Sequence, residues 1–174
     1  MPETVTQEIY TFEELSEDVQ ARVIEKNCDF NVNYNWWNCT YEDAKMVGFK
    51  IESFDLDRDR YVDGDFTDTA EYAARAIIEN HGETCETYIL AKDYLAQLLI
   101  VTMKHTAEGG DDEDLDTLDI DEAFLKDLRR EYHKILVKEY DYLTSDEAIR
   151  ETMIANEYQF YEDGDFYHEH RKAA

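Results

Sequence analysis

Proline occurs once in this chain, at position 2, and no Gly/Ser-rich linker follows it. Nothing marks a domain boundary, so the 174 residues read as a single acidic globular domain, 1–174. Cysteine is scarce as well. Cys28, Cys39 and Cys85 form no CxxC pair, and their odd number leaves at least one thiol outside any disulfide framework. They read as reduced core cysteines of a cytosolic protein. The most apolar segment, Ile89–Met103, is interrupted by Lys92, Asp93 and Gln97 and is too short and too charged to span a bilayer. The opening MPETVTQEIY has neither a basic start nor an apolar run, so no signal peptide is expected and the assigned location is cytoplasmic. No GxSxG, P-loop, GxGxxG or HExxH pattern occurs, and acid pairs are uninformative in a chain with 43 carboxylates. The expectation is a protein that is not an enzyme and needs no cofactor.

Bases are the scarcest charged residues. Against 43 acidic residues stand 17 Lys and Arg, a formal net charge of −26. A compact domain of this length has a diameter of about 40 Å. Duplex DNA carries 26 charges in roughly 44 Å of axis, so the chain concentrates negative charge about as densely as DNA does. Crowded carboxylates suppress one another's ionisation, which lowers the effective value somewhat. Such a surface repels nucleic acid and anionic lipid and draws in basic proteins. Halophilic solvation is the alternative use of the same acidity. An apolar fraction of 43% and an aromatic fraction of 13% exclude a disordered acidic tail.

The pattern along the chain predicts an α+β fold, with about five or six helices packed on a small antiparallel sheet made of one or two hairpins. Thr11 and Glu14 form a capping box that opens a helix to about Asn27, with Phe12, Leu15, Val19 and Val23 inward. A shorter helix ends at Gly48. At least one of Trp36 and Trp37 is core, and the other is either core or an exposed anchor. Phe49 and Ile51, then Phe54 and Leu56, alternate in two registers separated by Glu52–Ser53, where an extra residue predicts a bulge. Asp57–Arg60 reads as the hairpin turn and Tyr61–Thr67 as the return. Asp68 and Glu71 cap a helix whose small face (Ala70, Ala73, Ala74) permits close packing. Long helices are expected at about Thr84–Thr106 and Asp119–Leu143. The first carries Tyr88, Ala91, Leu95, Leu98 and Val101–Thr102 along one stripe; the second carries Ile120, Phe124, Leu128, Tyr132, Ile135 and Leu143 inward. A last helix runs from Thr144 to about Asn156, and the tail folds into a second hairpin turning at Asp163–Gly164.

YVDGDF at Tyr61–Phe66 and YEDGDF at Tyr161–Phe166 invite a duplication or a metal loop. Their flanks differ, and two independent hairpin turns suffice. An EF-hand loop starting at Asp55 has oxygens at Asp55, Asp57 and Asp59. It lacks the required glycine and glutamate, because Arg60 and Phe66 stand there. Strand alternation instead puts Asp55, Asp57 and Asp59 on one solvated face, with Asp63 and Asp65 nearby. His168 and His170 are the only close histidine pair.

The segment 108–122 holds nine acidic residues in fifteen and no base: Glu108, Asp111, Asp112, Glu113, Asp114, Asp116, Asp119, Asp121 and Glu122. It is either a solvated loop or an array of carboxylates at phosphate-like spacing. Asp119, Asp121 and Glu122 also suit the amino end of the following helix.

YTFEELSEDVQARVIEKN, NYNWW and YEDAKMVGFKIESFDLDR resemble a set of small acidic proteins encoded by phages and mobile elements, over roughly the first seventy residues. In charge and size the chain is also similar to phage anti-CRISPR and anti-restriction proteins that imitate DNA. The resemblance implies an inhibitor in the host-cell cytoplasm whose partner is a basic nucleic-acid-binding protein, a defence nuclease complex, with no direct binding to nucleic acid or membrane. The acids at 55–65 and 111–121 would meet that partner, with Trp37 or Tyr61 as anchors. The other readings are an antitoxin-like or scaffold protein and a metal-binding protein.

Overall fold

The computed structural model describes residues 8–111 and 115–167. Among them are six α-helices and two antiparallel two-stranded sheets, an α+β fold. The chain divides into two compact units, Met1–Trp36 with Glu139–Ala174, and Trp37–Lys138.

In the first unit, β1 (Tyr10–Thr11) pairs with β4 (Gln159–Phe160). The Thr11–Glu14 capping box is present, with Glu14 Oε2 accepting from the Thr11 backbone N–H at 2.8 Å. It closes only a 3-10 turn, Phe12–Glu14. Leu15 and Ser16 are extended, and α1 (Glu17–Lys26) starts afresh from Ser16. The break lets both Phe12 and Leu15 enter the core, which continues through Val19, Val23 and Ile24. Across from them, α6 (Asp146–Ala155) supplies Ile149 and Met153, and β4 supplies Phe160. The cap of α6 is Ser145, whose Oγ accepts from the Ala148 N–H, rather than the expected Thr144. Thr144 donates its hydroxyl back to the Tyr140 carbonyl and so closes the preceding helix. Trp36 packs on Tyr140 with ring centres 5.7 Å apart.

The second DGDF copy forms the expected turn. Gly164 has φ +90°, and a Cβ there would press on Val19 and Val23. The hairpin itself is minimal: Phe160 and Phe166 make a single bridge, while β4 takes β1 as its strand partner.

In the second unit, α2 (Asn38–Met46) ends at Gly48, which adopts φ +79°. β2 (Phe49–Asp55) and β3 (Tyr61–Phe66) follow as an antiparallel pair. Their register shifts between Ile51 and Ser53, where the bulge was expected. The bulge has a clear purpose. Phe49 opposes Phe66, Ile51 opposes Gly64 and Phe54 opposes Val62, so the extra residue keeps Phe54 on the same face as Phe49 and Ile51. Trp37 and Tyr41 pack edge-on against Phe54.

The first DGDF copy is therefore no turn. It lies inside β3, where a Cβ on Gly64 would strike the Lys50 carbonyl, Ile51 Cα and the Phe49 ring. Arg129 clamps the same residue, donating from Nε to the Gly64 carbonyl at 2.8 Å.

α3 (Ala70–Asn80) is capped by Thr69, whose hydroxyl accepts from the Tyr72 N–H, and not by Asp68. Its Ala70, Ala73 and Ala74 face is buried, and the helix packs against α4 (Glu86–Ala107). In α4 the buried positions are Thr87, Ala91 and Tyr94, one step round from the expected Tyr88–Leu95 stripe. α5 (Leu118–Leu143) buries Phe124, Leu128, Tyr132 and Leu136, the last in place of Ile135. Tyr94, Phe124 and Phe66 stack in sequence, with ring centres 4.6 and 5.6 Å apart, and Phe49 meets Tyr132 at 5.3 Å.

Gly64→Ala is expected to lower stability by about 1–3 kcal/mol, because the nearest opposing atom, the Lys50 carbonyl oxygen, and Ile51 Cα beside it are backbone and cannot yield. Gly82→Ala, with only Cys85 Sγ at 3.9 Å, is the control and should change stability by less than about 0.5 kcal/mol. Equal denaturation midpoints for the two variants would contradict the close fit at Gly64.

Candidate functional site: acidic surfaces and a polar pin

The hairpin acids occupy three different settings. On the outward face of the sheet Asp65 opposes Lys50, Asp63 opposes Ser53 and Asp55 opposes Tyr61. Asp55 is an organiser of the turn: its Oδ1 accepts from the backbone N–H groups of Asp57, Arg58 and Asp59 at 2.8–3.2 Å. Partial burial pushes its carboxyl up, but the converging amides of residues 57 to 60 outweigh this and hold it below the usual range. Asp57 and Asp59 are exposed at the tip beside Arg58 and Arg60. Asp63 has Arg129 Nη2 at 3.5 Å. Six acids here (Glu52, Asp55, Asp57, Asp59, Asp63, Asp65) thus share the surface with Lys50, Arg58, Arg60 and Arg129, so the hairpin is far less negative than its acidic residues alone suggest. Tyr61 is 41% exposed, whereas Trp37 is half-buried against Phe54.

The segment 108–122 retains its imbalance. Asp111, Asp116, Asp119 and Glu122 are exposed; Asp112, Glu113 and Asp114 lie outside the described residues. Asp116 accepts from the Leu118 N–H, turning the chain into α5. Asp121 has a structural task instead: it accepts the Tyr94 hydroxyl at 2.6 Å and the Thr117 hydroxyl at 2.9 Å. Burial first, and then this carboxylate, drive the Tyr94 hydroxyl to a pKa far above the ordinary tyrosine value. Immediately upstream, α4 exposes Leu99, Ile100 and Met103, each more than half accessible. These three share one helix face by their i, i+3 and i+4 spacing, an apolar patch that the continuous hydrophobicity of the segment concealed.

Cys28, Cys39 and Cys85 are all exposed rather than core, since each sits at or next to a helix end where the chain is on the surface. His168 and His170 lie outside the described residues. Among the described residues no group of three or more His, Cys, Asp or Glu is placed to hold a metal ion, and no helix is long and apolar enough to cross a membrane.

One polar cluster has no counterpart in the sequence reading. Asp43 on α2 accepts the Tyr132 hydroxyl at 3.0 Å and faces His81 Nε2 at 3.4 Å; His81 Nδ1 lies 2.7 Å from Thr87 Oγ1. The carboxylate favours a proton on Nε2, leaving Nδ1 to accept from the threonine. The order hydroxyl, imidazole, carboxylate resembles a nucleophile relay, but Thr87 is only 3% exposed, so its hydroxyl is closed off from a substrate in solvent. The cluster is a pin joining α2, α3, α4 and α5. Fragments 89 residues apart in sequence meet there, so no local spacing could announce it.

The chain matches no protein-family model, and no curated protein or solved structure shows significant similarity to it.

His81 first, and then Tyr132, hold the Asp43 carboxyl below its ordinary value of 3.8, against the opposing effect of burial. A depressed carboxylate stabilises the fold fully above about pH 4, and that contribution is lost as pH falls through the lowered pKa. Tyr132→Phe should cost about 1–2 kcal/mol at neutral pH. The stability gap between wild type and Asp43→Asn should close on acidification below pH 4, as followed by urea denaturation. A gap independent of pH would remove Asp43 from this role.

Proposed function

We propose that this protein is a phage-type inhibitor of a host defence system, of the anti-CRISPR or anti-restriction kind, which occupies a basic DNA- or RNA-binding groove in place of nucleic acid. The supporting observation is the segment 108–122, nine acids without a base, continuing directly from the exposed Leu99, Ile100 and Met103 face of α4. Carboxylates pair with the Arg and Lys of such a groove as phosphates do. The apolar face supplies the desolvated contact that fixes affinity, while the charge accelerates encounter. Even one-to-one pairing of all 17 bases would leave 43 − 17 = 26 carboxylates without a cationic partner inside the chain.

In this reading α4 replaces Trp37 as the anchor, and the hairpin acids are secondary because bases stand among them. Inhibition of a purified CRISPR effector or restriction nuclease should occur when the protein is added before DNA and fail when DNA is already bound. Changing Asp111, Asp112, Glu113 and Asp114 to Asn and Gln should weaken binding at least ~10-fold without altering the melting temperature. Binding should also fall steeply with added salt. A target bound equally well with DNA in place would remove competitive mimicry.

A further inference from the structure

The first unit contains a cavity of about 240 Å³ whose walls include Tyr34, Tyr142, Glu151 and Asn156. Four independent features of this cavity favour positive charge. Tyr142 and Leu143 line it from the carboxyl end of α5, a 26-residue helix whose last turn carries no basic residue. The carboxyl end of α6, with Ala155 and its cap Asn156, forms another wall, and again no base lies in the last turn. Each helix terminus contributes a partial negative charge, reduced where Asn31, Ser145 and Asn156 donate to its carbonyls. Third, Tyr34 and Tyr142 line it and are 61% and 55% exposed, offering aromatic surface. Fourth, Glu151 supplies a carboxylate, whose Oε2 accepts from the Tyr142 hydroxyl at 3.3 Å.

The site is held in shape by hydrogen bonds. Asn31 is buried, and its Nδ2 donates to the Leu143 carbonyl at 3.1 Å, fixing the loop that carries Tyr34 to the end of α5. Ser145 Oγ donates to the Tyr142 carbonyl at 2.6 Å while accepting from α6, so one hydroxyl sets the position of both helix ends. Negative potential is already felt there: Glu151 first, and Glu147 more weakly, raise the Tyr142 hydroxyl pKa above its ordinary value.

We infer that this cavity is a binding site for a guanidinium group, that of an arginine side chain presented by a protein partner. A planar cation can lie against a tyrosine face while its N–H groups reach the Glu151 carboxylate, a combination an ammonium satisfies less well. The volume of about 240 Å³ is enough for one such side chain. The inference concerns the first unit, apart from the segment 108–122 of the second, and goes beyond the proposed function, resting on it only in that a nucleic-acid-binding groove is rich in arginine. Its test requires no partner, so the two can fail separately.

The experiment is titration of the 15N-labelled full chain with N-acetyl-arginine amide, with N-acetyl-glutamine amide as the neutral comparison. Saturable shifts at millimolar concentration, centred on Tyr34, Tyr142 and residues 143–151, are expected for the arginine probe only. Glu151→Gln and Tyr142→Ala, both at exposed positions, should each weaken binding about 5-fold or more while the rest of the amide spectrum stays in place. Shifts that rise linearly and spread over acidic surfaces throughout the chain would overturn the site, as would equal binding of the neutral probe. Saturable binding here, together with a partner that tolerates bound DNA, would leave the site standing and remove only the mimicry.

Discussion

Placing 43 carboxylates and 17 bases on 174 residues loads the folded state with self-repulsion that apolar burial must outweigh. The chain meets this constraint with aromatic contacts in both units. Phe12, Phe160, Phe166 and Phe30 interlock in one, and Tyr94, Phe124, Phe66, Phe49 and Tyr132 run through the other. Each such ring buries a large area and adds a directional contact worth about 0.5–1.5 kcal/mol beyond it. Where two of these rings carry hydroxyls, at Tyr94 and Tyr132, a carboxylate receives the proton-bearing end, so the polar tip is satisfied inside the packed layer.

The same constraint shapes how the acids are used. With too few cations to neutralise them, many serve as acceptors for the backbone. Glu14, Asp55, Asp65, Asp68, Asp116 and Asp163 each take an N–H within four residues of themselves. Such bonds favour the ionised form, and for Glu14 the amide of Thr11 is the leading cause of a lowered carboxyl pKa. The negative charge is therefore partly structural. It writes the turns and helix starts locally, which a lysine-paired acid would not do.

This local use explains what the sequence disclosed and what it concealed. Caps, the Glu52 bulge, the Asp57–Arg60 turn and Gly48 involve residues within four or five positions of each other, and the pattern exposed them. Errors of one residue at caps arose where two capping side chains adjoin, Asp68 beside Thr69 and Thr144 beside Ser145, because propensity alone does not rank them. The inward face of α4 is hidden in the sequence because apolar residues lie on most sides of the helix. For the candidate surfaces, the acidity of 108–122 was evident from composition, whereas the bases that dilute the hairpin acids become visible only once Lys50 and Arg129 are brought alongside. The Asp43 pin and the Tyr34–Tyr142 cavity each join close pairs, His81 with Thr87 and Tyr142 with Glu151, to a residue about ninety or more positions away, and the close pairs alone announce neither.

The two adjacent tryptophans fall on opposite sides of the division between the units. Trp36 lies 7% exposed against Tyr140 in one; Trp37 lies half-buried against Phe54 in the other. Two indoles joined by a single peptide bond therefore sample different interiors. Removing either by a Trp→Phe exchange leaves a fluorophore whose emission reports the melting of one unit, which turns a sequence doublet into a pair of built-in optical probes of whether the two halves unfold together.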